Sequence, residues 1–248
     1  MNDLAGRTAL VTGGSGGIGS AITRRLAAAG IRVAIGAGAN LEKARRLTDE
    51  LPGTGHFAVV VPVDDSPALS IVANRVREQF GGLDILVNCA GVTRGVDHSD
   101  LDGLDDELID RIFRINWRGP FAAARAFRSL LDEGDSGVII NISSIAAVTG
   151  MGSNVAYCAS KAALDSMTRS LARALAPRIR VLSVSPGLVL GDYTAQLDQA
   201  WIADQVAATP LGRLADPDDV AEAVLMAISL RSTTGAIIPV DGGRPLGR

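Results

Sequence analysis

The chain has 248 residues, 47% of them hydrophobic, with 28 glycines and a formal charge of −3. That charge gives no electrostatic case for nucleic acid or an anionic membrane surface as partner, and no apolar run approaches the ~18 residues of a membrane span. Cys89 and Cys158 have no metal-ligand spacing and read as free thiols, and residues 1–4 show no basic or apolar leader, so the expected compartment is the cytoplasm.

Thr8-Ala9-Leu10-Val11 is a short apolar run that predicts the first strand. Thr12 to Gly19 follows at once, and Ile18, Ala21, Ile22 and Leu26 then recur at helical spacing as far as Gly30. Glycines between a strand and a helix let the backbone approach a pyrophosphate, with helix N–H groups aimed at it. Gly13, Gly17 and Gly19, with Ser15 and Ile18 between them, are the candidate phosphate-binding positions. Residues 31–36 predict the second strand, and the turn after it, Ala37, Gly38, Ala39 and Asn40, carries neither carboxylate nor arginine. Residues 57–63 predict the third strand, followed by Asp64-Asp65, where one aspartate would cap the helix marked by Leu69, Val72, Val76 and Phe80. Residues 83–87 predict the fourth strand, ending in Asn88-Cys89-Ala90-Gly91. The acidic stretch 94–110, with His98 alone among carboxylates, reads as a solvated loop and helix start, not as a metal site. The next helix, through Ile109, Ile112 and Phe113, carries Asn116.

Val138 to Ile142 is an apolar strand that runs into Ser143-Ser144. A hydroxyl at the carboxyl end of a strand can hydrogen-bond a substrate carbonyl oxygen. Residues 145–155 are glycine-rich and largely uncharged and are expected to line a substrate pocket with Val148, Met151 and Asn154. Tyr157 and Lys161 lie four apart, on one helix face a single turn from each other. An ammonium there lowers the tyrosine pKa from about 10 toward working pH and makes Tyr157 a usable general acid or base. The helix over 157–175 is expected to bury Ala162, Leu164, Met167 and Leu171. Residues 180–185 predict the sixth strand, which leads into Pro186-Gly187-Leu188-Val189. Residues 191–208, with Leu197, Trp201 and Ile202 at helical spacing, suggest a lid. Asp216-Pro217-Asp218-Asp219 opens the last helix (Val220, Val224, Leu225, Ile228), and residues 235–240 predict the last strand. Without repeats or linkers, residues 1–248 read as one α/β domain with a doubly wound parallel sheet.

Five ordered motifs, Thr12 to Gly19, Asn88-Cys89-Ala90-Gly91, Ser144, Tyr157 to Lys161 and Pro186-Gly187, resemble the landmarks of the short-chain dehydrogenase/reductase family. The resemblance covers about residues 6–243 and implies about seven strands with helices on both faces. It implies NADP or NAD as cofactor, bound by Gly13, Ser15, Gly17, Ile18, Gly19, Asn88, Ala90, Gly91, Tyr157, Lys161, Pro186, Gly187 and Val189. Asp64 is the candidate for the adenine amino group. Neither the acid that selects NAD nor the arginines of NADP-using relatives is present, one of which would stand at Gly16; the reading leans to NADP. The implied catalytic residues are Asn116, Ser144, Tyr157 and Lys161, and the substrate contacts are Ser144, Met151 and Tyr157. Hydride transfer to or from a carbonyl or secondary alcohol is the implied activity, in a homotetramer. Within the family the chain resembles 3-oxoacyl-acyl-carrier-protein reductases and their sugar- and alcohol-oxidising relatives, but the turn at Leu131-Asp132-Glu133-Gly134-Asp135, where carrier users dock an acidic partner, is itself acidic, although Arg178 keeps a second basic position. A small ketone, hydroxy acid or polyol is therefore favoured over an acyl carrier. Two further readings are a nucleotide-binding regulator without turnover, against which the intact Asn116, Ser144, Tyr157, Lys161 set argues, and an epimerase or dehydratase, whose family relatives usually carry a longer substrate domain after the sheet.

Overall fold

Apolar strands alternating with amphipathic helices leave each strand two faces to bury, and a parallel sheet covered on both sides satisfies both. The computed structural model describes residues 4–38, 40–134, 136–191 and 194–247, so Ala39, Asp135 and residues 192–193 of the expected lid lie outside the described residues. The strands are β1 (Thr8–Thr12), β2 (Arg32–Ala37), β3 (Phe57–Val60), β4 (Ile85–Asn88), β5 (Gly137–Ile142), β6 (Ile179–Pro186) and β7 (Ile237–Val240). They pair in the order β3-β2-β1-β4-β5-β6-β7, each pair parallel. The chain leaves β1 for β2 and β3 on one side and returns to β4 on the other. The carboxyl ends of β1 and β4 therefore flank a crevice where this family of topologies binds ligands.

Side chains alternate between the faces of the sheet. Ala9 and Val11 point into one layer, packed under α1 (Gly17–Ala28), α2 (Leu41–Glu50) and α9 (Pro217–Ser229). Leu10 points into the other, under α3 (Ser66–Phe80), α5 (Gly119–Glu133) and the end of α7 (Val155–Leu175). Between them, α4 (Asp106–Phe113) reaches α5 through a π-helical segment, Arg114–Arg118. A four-residue helix α6 (Ala146–Thr149) follows β5, and the helix α8 (Gln199–Ala207) buries none of its residues. Among the described residues no helix is long and apolar enough to cross a membrane.

Two expectations change. β3 ends at Val60 and not at Val63, since Pro62 has no N–H to continue a ladder. Ala162 is exposed, not buried. The inner stripe of α7 runs instead through Lys161, Leu164, Asp165 and Thr168, which leaves Ala159, Ala162 and Ser166 facing outward.

Candidate active site

The first turn is built by backbone that approaches backbone. Gly13 has φ +64°, and a Cβ there would lie 3.0 Å from Ala90 Cα, so the glycine loop and the Asn88–Gly91 segment pack together. Thr12 fixes that contact, its hydroxyl accepting from the N–H groups of Cys89 and Ala90, each at 3.1 Å. At Gly19 a Cβ would stand 2.1 Å from the Gly13 carbonyl oxygen, which no side chain can occupy. No side chain caps α1, and its first turn holds no acid, so the N–H groups that begin at Gly17 and Ile18 keep a positive end toward the crevice. Ser15 is buried in the same turn. These features fit a nucleotide pyrophosphate.

The catalytic candidates meet on the inner face of α7. Asn154 caps the helix by accepting from the Tyr157 N–H at 2.7 Å. The Lys161 ammonium is buried, donates to the Ile142 carbonyl at 2.8 Å, and lies 5.7 Å from the centroid of the Tyr157 ring. Burial lowers its pKa to about 8, against the opposing pull of Asp165. Ser144 leaves β5 two residues after its end, half-buried, its hydroxyl accepting from Ala146 N–H at 3.2 Å. Asn116 is fully buried within the π-helical segment. Its carboxamide accepts from Val92 N–H at 2.8 Å and donates to the Val92 carbonyl at 2.9 Å and to Ser160 Oγ at 3.2 Å. A Cβ on Gly91 would lie 3.4 Å from Asn116 Oδ1 and 3.9 Å from Lys161 Nζ. The π-bulge thus brings Asn116 to Gly91 and to the Lys161 helix.

The remaining predicted positions separate. Pro186 accepts from Ile145 N–H at 2.9 Å, and Gly187 leaves room for Asp241, whose Cα would be 3.1 Å from an added Cβ. Val189 forms an isolated bridge with Ala215. The Thr194 hydroxyl bonds both the N–H (2.9 Å) and the carbonyl (3.0 Å) of Gly191, a contact that motif spacing did not reveal. Asn88 holds Asn141 Oδ1 at 2.9 Å. Of the two aspartates after β3, Asp65 caps α3 by accepting from Ala68 N–H at 3.0 Å. Asp64 is left beside Arg114 (3.6 Å) and takes Arg118 on its carbonyl at 2.8 Å, two partners sequence reading missed. Val148 and Met151 are largely exposed at the rim. Asn154 departs from the expected pocket lining: it is buried, and besides capping α7 it donates to the Arg94 carbonyl at 2.7 Å. His98 Nε2 hydrogen-bonds the Gly152 carbonyl at 3.1 Å.

Residues 13–244 match the family model described as enoyl-(acyl carrier protein) reductase. A Streptomyces violaceoruber protein assigned as ketoacyl reductase 2 of the granaticin polyketide synthase is 38% identical over 240 residues, covering 96% of each chain. The chain is a short-chain dehydrogenase/reductase. A 3alpha-hydroxysteroid dehydrogenase of Mediterraneibacter gnavus shares 33% identity over 96% of this short-chain dehydrogenase/reductase and 97% of its own length. The crystal structure of a short-chain dehydrogenase/reductase of Brucella melitensis, described as glucose/ribitol dehydrogenase, superposes with a TM-score of 0.91 at 29% identity and covers 98% of both chains. Members of this family are NAD(P)-dependent oxidoreductases acting on keto and CH–OH groups of small molecules, and this chain is one of them.

Proposed function

We propose that the enzyme interconverts a small neutral ketone and its secondary alcohol, with Tyr157 as the proton donor in reduction. The observation that carries this reading is the buried Lys161 ammonium set against the Ile142 carbonyl and 5.7 Å from the Tyr157 ring. There it favours the phenolate and so eases proton transfer. When bound, the nicotinamide nucleotide supplies or accepts the hydride. Ser144 stabilises the charge that develops on the substrate oxygen, Lys161 also holds the nicotinamide ribose, and Asn116 supports the path that returns a proton to Tyr157. Gly13, Ser15, Gly17, Ile18 and Gly19 hold the pyrophosphate, Asp64 the adenine, and Asn88, Ala90, Gly91, Pro186, Gly187 and Val189 border the ribose and nicotinamide. Residues 191–208 act as the lid.

NADP is the favoured cofactor. Asn40 uses its carboxamide oxygen to cap α2 at Lys43 N–H (3.1 Å), and the turn has no carboxylate at its described residues Ala37, Gly38 and Asn40, with Lys43 and Glu42 following in the first turn of the helix. A neutral substrate is supported by the rim: Val148, Met151 and Leu190 are exposed there, while Arg94, the nearby cation, pairs with Asp105 at 3.3 Å. The polyol and hydroxy-acid readings lose ground on the same residues. An acyl-carrier substrate is the second reading, favoured by similarity to the 3-oxoacyl-acyl-carrier-protein reductase of Staphylococcus aureus, at 34% identity over 242 residues. Against it, Arg178 is already held by Asp132. A cytoplasmic homotetramer completes the proposal, with the outward alanines of α7 and the half-exposed Trp117–Phe121 stack, 6.4 Å between centroids, as candidate contacts.

Paired fluorescence titrations with NADH and NADPH, followed by turnover on a panel of neutral ketones and acyl thioesters, test the reading. Tighter NADPH binding with ketone turnover is the expected result. Tighter NADH binding overturns the cofactor assignment, and failure to bind either nucleotide overturns the proposed function.

A further inference from the structure

Behind the catalytic pair lies a buried carboxylate that the proposed reaction does not use. Asp165 follows Lys161 by one turn on α7, so Tyr157, Lys161 and Asp165 form one stripe on its inner side. Lys161 is 6% exposed and Asp165 4%. The two residues meet the end of β5 at consecutive positions: Lys161 donates to the Ile142 carbonyl, and Asp165 faces the Ser143 hydroxyl, with the Ser183 hydroxyl of β6 also beside it. Ser144 is the next residue along. Ser183 passes the network on through Thr168 Oγ1 (2.8 Å) to Asn141 Nδ2 (2.8 Å) and so to Asn88.

Burial pushes the Asp165 carboxyl up, against both serines, which favour its charged form, and Asp165 Oδ1 and Ser143 Oγ close no hydrogen bond of normal geometry among the described residues. A buried carboxylate short of donors is costly unless an opposite charge holds it. The groups that face it are Lys161 and Arg169 on its own helix, Ser143 from β5 and Ser183 from β6. Those that face Lys161 are Tyr157 and Asp165 on α7 and Cys89 after β4. Burial pushes the Cys89 thiol up to about 12, so it stays neutral where Lys161 titrates. Asp165 is then the acidic group left facing Lys161 among the described residues.

We propose that Asp165 is a positioning residue of the catalytic pair, the buried counter-charge that keeps Lys161 an ammonium against Ile142 and Tyr157. This rests on the reading of Tyr157 and Lys161 as the reacting pair. The test is the pH dependence of kcat/KM for the nucleotide in Asp165→Asn and in the smaller Asp165→Ser, with melting temperature read alongside. In both variants the alkaline limb is expected to move about one pH unit lower, which means ~5-fold less activity at the wild-type midpoint, approaching ~10-fold above it, and near wild-type activity on the acid side. A limb that stays in place while the melting temperature falls would overturn the proposal and leave Asp165 a packing residue. So would failure of both variants to fold, since the carboxylate would then be a requirement of the fold itself. Tyr157→Phe separates the two readings: if it keeps turnover, the catalytic assignment fails; if it loses turnover while the Asp165 limb is unmoved, only this proposal fails.

Discussion

The two ends of the crevice are built on opposite principles. At the proposed catalytic end, Lys161 and Asn116 are buried, Tyr157 and Ser144 half-buried, and all four positions are held by hydrogen bonds. At the adenosine end, the turn after β2 offers Gly38 and Asn40, exposed and without a charge of its own. A buried ammonium admits few neighbours and one geometry. An exposed turn of small residues admits several ligands. Chemistry is therefore fixed tightly in this chain, and nucleotide preference loosely.

Removing the charge common to both functions should give the largest effect. Lys161→Met is expected to lower turnover at least ~100-fold and to weaken nucleotide binding as well, measured by steady-state rates beside a fluorescence titration. If only binding suffered, the catalytic end would lose its claim to depend on that ammonium. The same group sets the pH course. Lys161 is charged below about 8 and neutral above it, so kcat/KM for the nucleotide should fall as pH rises through about 8, by up to ~10-fold per unit. A profile flat to pH 10 would contradict this. Gly19→Ala attacks the phosphate turn alone: its Cβ would stand 2.1 Å from the Gly13 oxygen, and relieving such overpacking costs about 1–3 kcal/mol, a ~5- to ~150-fold loss in affinity for either nucleotide if it falls on the bound geometry. Unequal losses for NADH and NADPH would show that the turn after β2 is the more constrained of the two. Asp219→Asn, outside both ends, should leave kinetics unchanged. Asp219 closes the capping box of α9 and pairs with Arg213 at 2.6 Å, so thermal denaturation should show a loss of about 1 kcal/mol.

The same contrast decides what could be read from sequence. Strand-helix alternation and five ordered motifs carried the parallel sheet and the position of each catalytic candidate, because a four-residue spacing on a helix is a geometric statement. Long-range partners left no such trace. Nothing in the spacing links Asp64 to Arg114 and Arg118, or Asn154 to the Arg94 carbonyl, since those contacts form only when the sheet closes. Ala162 was misplaced because alanine suits either side of a helix, and the deciding stripe runs through polar residues. Asp165 was legible in principle, four residues beyond Lys161, but a carboxylate on a helix ordinarily signals solvent.

The most direct test of the account compares Tyr157→Phe with the wild type, measuring nucleotide affinity by fluorescence and ketone reduction by nucleotide oxidation on the same preparations. The phenyl ring keeps the packing against Lys161 and removes only the hydroxyl, so affinity should hold within a few-fold while turnover drops at least ~100-fold. Near wild-type turnover in that variant would contradict the assignment of Tyr157 as the proton donor.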